Sequence, residues 1–171
     1  MKKSIFSALC LVLLATTTQS AWGETIEINT TNSGVTGSYQ DATFMVNNIQ
    51  FGFTQWMKNT NIQAKKNTTH SCYNVDAIPG VITKITIVQT KTARAIKLYG
   101  GTSEKPTTQE VTAPTAGTMV FDFSTYNYTY FSMTTPDNAC YITSITIEYS
   151  ASQQTTVYLG LFLAAFVAVR A

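Results

Sequence analysis

Few side chains in this 171-residue chain are of types that make and break bonds. His70 is the single histidine, and it sits in a polar run beside Ser71. A Ser-His-Asp relay would have to use it, and the chain has no Gly-X-Ser-X-Gly turn to expose a strained serine. His70 is therefore expected to be exposed and without a task. Asp76, Asp122, Asp137 and Glu148 could meet in space, but their spacing predicts no acid–base couple. Outside the first 23 residues, two cysteines and one histidine are too few for a zinc site, and no clustered acidic loop suggests calcium. The expectation is a protein that is not an enzyme and carries no metal or cofactor.

Binding chemistry is better represented. Sugars present apolar ring faces and many hydroxyls, so a site for them combines aromatic planes with amides and charged donors. The expected ligand-binding set is Trp56, Gln63, Lys65, Tyr73, Asn74 and Tyr99, with Tyr126 and Tyr128 as further rings. Gln63 and Lys65 alternate onto one face, opposite Ile62 and Ala64. The competing reading packs Trp56 and Tyr73 into the core or its rim, as such rings commonly do.

These side chains need elements to hold them, and the composition supplies strands: Thr is abundant, with Ile, Val, Tyr and Phe beside it. The stretch from Asn61 to Gly101 is the most regular. From Ile82 the apolar residues fall on Ile85 and Ile87, with Lys84 and Thr86 between, which buries one face of a strand and wets the other. Pro79-Gly80 marks the turn before it, because Pro presets φ and Gly tolerates positive φ. Strands are expected at 25–29, 43–46, 49–57, 61–66, 72–74, 82–88, 95–99, 119–123, 128–133 and 141–149. Residues 31–39 read as a glycine-containing loop and 104–117, rich in Pro and Thr, as an irregular excursion. Short strands with turn signals between them predict an all-β antiparallel sandwich, jelly-roll-like.

The ends read as targeting segments. Lys2 and Lys3 precede an apolar run from Ile5 to Ala15 and a small-residue exit at Ala21-Trp22-Gly23, the pattern of a signal peptide over 1–23. Residues 24–150 then form one domain. In 151–171 a polar spacer, Gln153 to Thr156, leads to an apolar run, Val157 to Val169, expected as a hydrophobic helix. With small residues at Ser150-Ala151-Ser152, this matches a GPI signal attaching at Ser150, the alternative being a transmembrane tail. Together the segments place the protein in the secretory pathway and on the outer cell surface, held to the membrane through its tail. Lys2, Lys3 and Arg170 lie in these segments, so the whole-chain charge of +2 becomes −1 for residues 24–150. No basic face is implied, which excludes nucleic acid as the expected partner.

In a secreted domain the remaining pair, Cys72 and Cys140, reads as a disulfide, worth roughly 4 kcal/mol for so long a loop; two free buried thiols are the alternative. Asn29, Asn67 and Asn127 each open an Asn-X-Thr sequon and are glycosylation candidates, with Asn67 the best placed in its polar loop.

Read in order, Asn61-Ile62-Gln63-Ala64-Lys65-Lys66, Tyr73-Asn74, Ile78-Pro79-Gly80 with Ile82-Thr83-Lys84-Ile85, Leu98-Tyr99-Gly100-Gly101-Thr102, Tyr130-Phe131 and the run Tyr141 to Tyr149 form a recognisable pattern. It resembles a β-sandwich module found in secreted and surface proteins of bacteria and some protists. The resemblance covers most of residues 24–149 and implies a carbohydrate-binding or adhesive role, with a cell-surface glycan as partner. Its motifs are core and turn positions, so no binding residue carries over. The chain departs from the usual pattern in adding Cys72 and Cys140 and in bringing no companion domain. A structural coat protein without a small ligand is the alternative function.

Overall fold

The computed structural model describes residues 23–90 and 92–151. The expected signal peptide before Gly23, with Cys10, and the expected anchor segment beyond Ala151 lie outside the described residues. Within them the protein is all-β and contains no helix. Eleven strands form one continuous antiparallel sheet. They are β1 (Gly23–Asn29), β2 (Gln40–Val46), β3 (Ile49–Lys58), β4 (Ile62–Ala64), β5 (Thr68–Asn74) and β6 (Gly80–Gln89). After them come β7 (Lys97–Gly101), β8 (Gln109–Val111), β9 (Thr118–Asp122), β10 (Tyr130–Thr135) and β11 (Cys140–Ala151). The order is β8-β7-β10-β5-β3-β4-β11-β6-β9, with β1 on β11 and β2 on β3.

β11 is the long strand of one wing. β1 lies along it from Gly23–Ser150 to Asn29–Ser144, and β6 pairs with its other edge. Across these strands the inward side chains stand in rows. Ile26, Ile147, Ile85 and Phe121 form one row, and Ile28, Ile145, Ile87 and Met119 the next. All eight are buried, each such side chain contributing roughly 1.5–3 kcal/mol relative to exposure. The step of three from Ile82 to Ile85 breaks strict alternation, and a bulge explains it. Lys84 faces Glu148 and Ile82 faces Tyr149, which leaves Thr83 as the extra residue and returns Ile82 to the core. Gly80 is required at the start of β6, since a Cβ there would lie 1.8 Å from the Ser150 carbonyl oxygen.

β3 joins this wing to the other. Near its end it pairs with β4, which in turn pairs with β11. Earlier, Phe51 to Phe53 pair with β5, which in turn pairs with β10. The chain between Ala64 and Thr68 therefore crosses from one group of strands to the other. Phe44, Phe51, Phe53, Trp56 and Phe131 fill the second wing's share of the same core.

Two expectations are corrected here. The 104–117 excursion is not wholly irregular: β8 lies within it and pairs Leu98 with Val111, a three-residue strand too short to show alternation. Cys72 and Cys140 are free thiols, not a bridge. Cys72 stands between Phe53 and Met133, whereas Cys140 opens β11 opposite Ala64, and β5 and β11 are not adjacent strands. Burial holds both protonated, raising Cys140 to about 11 and Cys72 well above the ordinary thiol range.

Candidate binding site

The corner where β3 meets β4 and β5 gathers the richest polar cluster, and a backbone irregularity builds it. Gln40 pairs with Trp56 and Ala42 with Phe53, so Asp41 alone faces both Thr54 and Gln55. At this bulge Gln55 takes a left-handed conformation, φ 54°, which costs a residue with a side chain roughly 1–2 kcal/mol. Asp41 offsets that cost. Its Oδ1 accepts from the Gln55 backbone N–H at 2.8 Å and from the Gln55 Nε2 at 2.9 Å. These bonds, the side-chain one foremost, hold the Asp41 carboxyl below its usual range.

The bulge also sorts the neighbours. Phe53 and Trp56, three apart, both turn inward and stack at 5.2 Å with an interplanar angle of 7°. Gln55 is left outside, where Lys65 Nζ donates to its Oε1 at 3.0 Å. The same ammonium stands 5.5 Å from the centre of the Tyr39 ring. Gln63, in register between Met57 and Tyr141, donates from Nε2 to the Tyr39 hydroxyl at 2.7 Å. Burial foremost, and then Tyr141, raise the Tyr39 phenol, so at physiological pH it is neutral while its oxygen accepts from Gln63. Asp41, Gln55, Lys65, Tyr39 and Gln63 thus form one linked chain of polar contacts.

Beside this chain lies a groove of about 280 Å³ lined by Thr54, Gln55, Lys65, Lys66, Asn67, Thr68 and Thr69. Two ammonium groups, two amides and three threonines face it. The set can give and accept many hydrogen bonds, and it contains neither an activated nucleophile nor an acid–base pair. Among the described residues no group of three His, Cys, Asp or Glu side chains could hold a metal ion.

The expected ligand set is divided by the structure. Gln63 and Lys65 come together on the outward face, with Ile62 and Ala64 buried opposite. Trp56 is a core residue: it is 0% exposed, and its Nε1 donates to Ser71 Oγ at 2.8 Å. Asn74 is equally buried and fully engaged. Its Nδ2 donates to the Asp76 and Thr129 carbonyls at 2.8 Å each, and its Oδ1 accepts from the Phe131 N–H at 2.8 Å. Neither has a surface to offer a ligand, which corrects both assignments. Tyr73 lies flat across Gly52, where an added Cβ would meet its ring at 2.3 Å, and Lys105 Nζ covers it at 4.3 Å from the ring centre. Tyr99 is half-buried on β7, in register with Ser132 and Glu110, and so belongs to the other wing.

Tyr126 and Tyr128 stack at 5.0 Å, and Tyr128 packs on Gly100 at the wall of a second groove of about 430 Å³ that includes Lys105 and Gln109. His70 is not exposed and idle. It is half-buried at φ 51°, with Nδ1 2.8 Å from Ser132 Oγ and its ring edge-on to Tyr73. This contact does not make a nucleophile, since Ser132 is completely buried. Of the sequon residues, Asn29 spends its amide in a turn, accepting from Thr31 and Asn32 N–H groups, while Asn67 and Asn127 are exposed. Ser150 stands within β11, paired with Gly23 and Val81.

Tyr39, Asp41, Gln55 and Lys66 were not among the expected site residues. The one sequence signal for them is the three-residue step from Phe53 to Trp56, which a flat strand cannot bury on one face. Comparison with protein-family models, with curated proteins and with solved structures finds no match to this chain.

Proposed function

We propose that this protein is a non-catalytic binding module displayed outside the cell, with a glycan as its ligand and the groove at the β3–β4–β5 corner as its site. We further read the two wings as the layers of a sandwich, joined through β3. The observation that carries the functional reading is the Asp41–Gln55–Lys65–Tyr39–Gln63 chain, which shares Gln55 and Lys65 with that groove. Amide, ammonium and phenol groups are fixed there by one another, so they lose little freedom when a hydroxyl-rich ligand arrives. The signal-peptide pattern and the terminal apolar run support display at the surface.

A glycan array probed with the purified protein, made without a glycan on Asn67, tests the reading. Lys65→Ala should weaken binding about tenfold, the consequence of losing roughly 1.5 kcal/mol of hydrogen bonding, and Gln63→Ala, which lies beside the groove and holds Tyr39, should weaken it less. Uniform absence of binding across neutral and acidic glycans would refute it. A second reading, a coat protein without a ligand, is favoured by the covering of the most promising rings, Trp56 by the core and Tyr73 by Lys105.

A further inference from the structure

The groove and one of the glycosylation sequons are the same piece of chain. Asn67, Thr68 and Thr69 form an Asn-X-Thr sequon, and all three line the groove together with Lys65 and Lys66. Asn67 is exposed at φ 54° on the connection between β4 and β5, and Thr69, the hydroxyl residue the sequon needs, is exposed as well. We propose that an N-linked glycan on Asn67 lies in this groove and gates it, so that modification and external ligand compete for one site. The gate rests on the binding reading of the groove; the occupancy of the groove by the chain's own glycan does not.

The chemistry is a group transfer in the secretory pathway from a lipid-diphosphate-linked oligosaccharide. The Asn67 Nδ2 forms a bond to the anomeric carbon and gives up one proton. The anomeric carbon–oxygen bond breaks, and the lipid diphosphate leaves with the electron pair. One N–H remains on the amide. The first sugar is then tethered beside Lys65, Lys66 and Thr54, which present the donors and acceptors a free glycan would use. Tethering raises its local concentration far above that of a ligand in solution. The other sequons lack this relation: Asn29 has its side chain committed to a turn, and Asn127 does not line the groove.

The full chain, secreted from a glycosylating eukaryotic host, is compared with the same chain secreted while an inhibitor blocks synthesis of the lipid-linked oligosaccharide, which leaves Asn67 bare and every groove residue in place. Both forms carry Thr31→Ala and Asn127→Gln, which remove the other two sequons at exposed positions outside the groove. A single cooperative melting transition in each form confirms intact folding. Mass mapping should find a glycan on Asn67 in the first form. Lys65 and Lys66 should then react severalfold more slowly with an amine-acylating reagent in the glycosylated form than in the bare one, while Lys84 reacts equally in both. On the array, the bare form should bind and the glycosylated form should not. An unoccupied Asn67 in the first form, or equal acylation of Lys65 and Lys66, overturns the proposal. Shielded lysines with no glycan bound by the bare form overturn the gate and the binding reading together, leaving only the self-glycan in the groove.

Discussion

Asn74→Ala separates a structural amide from a ligand-binding one. Asn74 sits at the end of β5 with no exposed surface, and its amide ties three backbone groups at once. Two are the carbonyls of Asp76 and Thr129, which lie in loops where water can replace the lost donor. The third is the N–H of Phe131, a buried residue of β10, and no water reaches it easily. Leaving that donor unpaired costs about 1–3 kcal/mol, and the two exchanged bonds add about 1 kcal/mol between them. The expected loss is therefore about 2–4 kcal/mol, which for a domain of this size lowers Tm by roughly 8–16 °C. Asn74→Asp sharpens the test. It keeps an acceptor for Phe131 but turns a second oxygen toward two carbonyls. Protonating the carboxyl restores one donor, so this variant should gain stability relative to the parent as pH falls from 7 toward 4. Differential scanning calorimetry across that pH range reads both effects. A Tm within 2 °C of the parent for Asn74→Ala, with roughly 0.5 kcal/mol or less lost, would show that the amide bridge is not what holds these loops.

Further outcomes are expected. Ile85→Asp should unfold the protein or cost upwards of about 4 kcal/mol, since a carboxylate would enter the Ile147–Ile85–Phe121 row, whereas Thr86→Asp on the outward face should cost under about 1 kcal/mol; equal melting temperatures would refute the face assignment. Thiol labelling without reductant should modify neither cysteine in the native protein and both after denaturation; no labelling after denaturation would show a bridge. His70 is held below its ordinary value of 6.5, burial first and Lys105 second. The unfolded chain therefore takes the proton at higher pH than the folded one. The His70 contribution is complete above about pH 6.5, declines as pH falls through the window below it, and levels off under the folded value. His70→Gln should flatten that decline in a pH series of melting curves, and an unchanged slope would refute the assignment. Gly52→Ala should displace Tyr73 and Lys105 together, visible as a changed Tyr73 environment by NMR.

Strand positions were legible because period-two burial survives wherever one face meets the core. Ile26 with Ile28, and Ile85 with Ile87, announce themselves in this way. The site was half legible for the same reason: Gln63 and Lys65 flank the buried Ala64, so alternation alone put them outside. What failed were the assignments of Trp56, which depended on a bulge, and of Asn74, which depended on long-range partners. Trp56 is turned inward by the bulge at Thr54 and Gln55, and Asn74 is used by residues 55 and 57 positions away. Period-two reasoning assigns faces but has no term for an inserted residue. The cysteine pair failed differently: an even count in a secreted chain predicts a bridge on composition, and composition does not know which strands are neighbours.

The location of the groove bears on how a surface module would use it. β11 runs from Cys140 and Tyr141, beside the Gln63 and Ala64 of the site, to Ser150, beside Gly23 and Gly80. At about 3.4 Å per residue the distance from Tyr141 to Ser150 is roughly 30 Å. The Tyr128 groove falls nearer the Ser150 end, since the Tyr128 carbonyl accepts from the N–H of Ile82 near the start of β6. If the membrane attachment expected at Ser150 is made there, the Gln63–Lys65 corner is the end held away from the bilayer and the Tyr128 groove is the end held toward it. Of the two grooves, only the smaller then faces ligands arriving from outside the cell. Its size is not an argument against it, because an exposed sugar chain needs a fixed row of donors more than an enclosing cavity. The Asp41–Gln55 bulge fixes Gln55 beside Lys65 at that groove, and the same bulge is what buries the tryptophan that strict alternation from Phe53 would put on the opposite face.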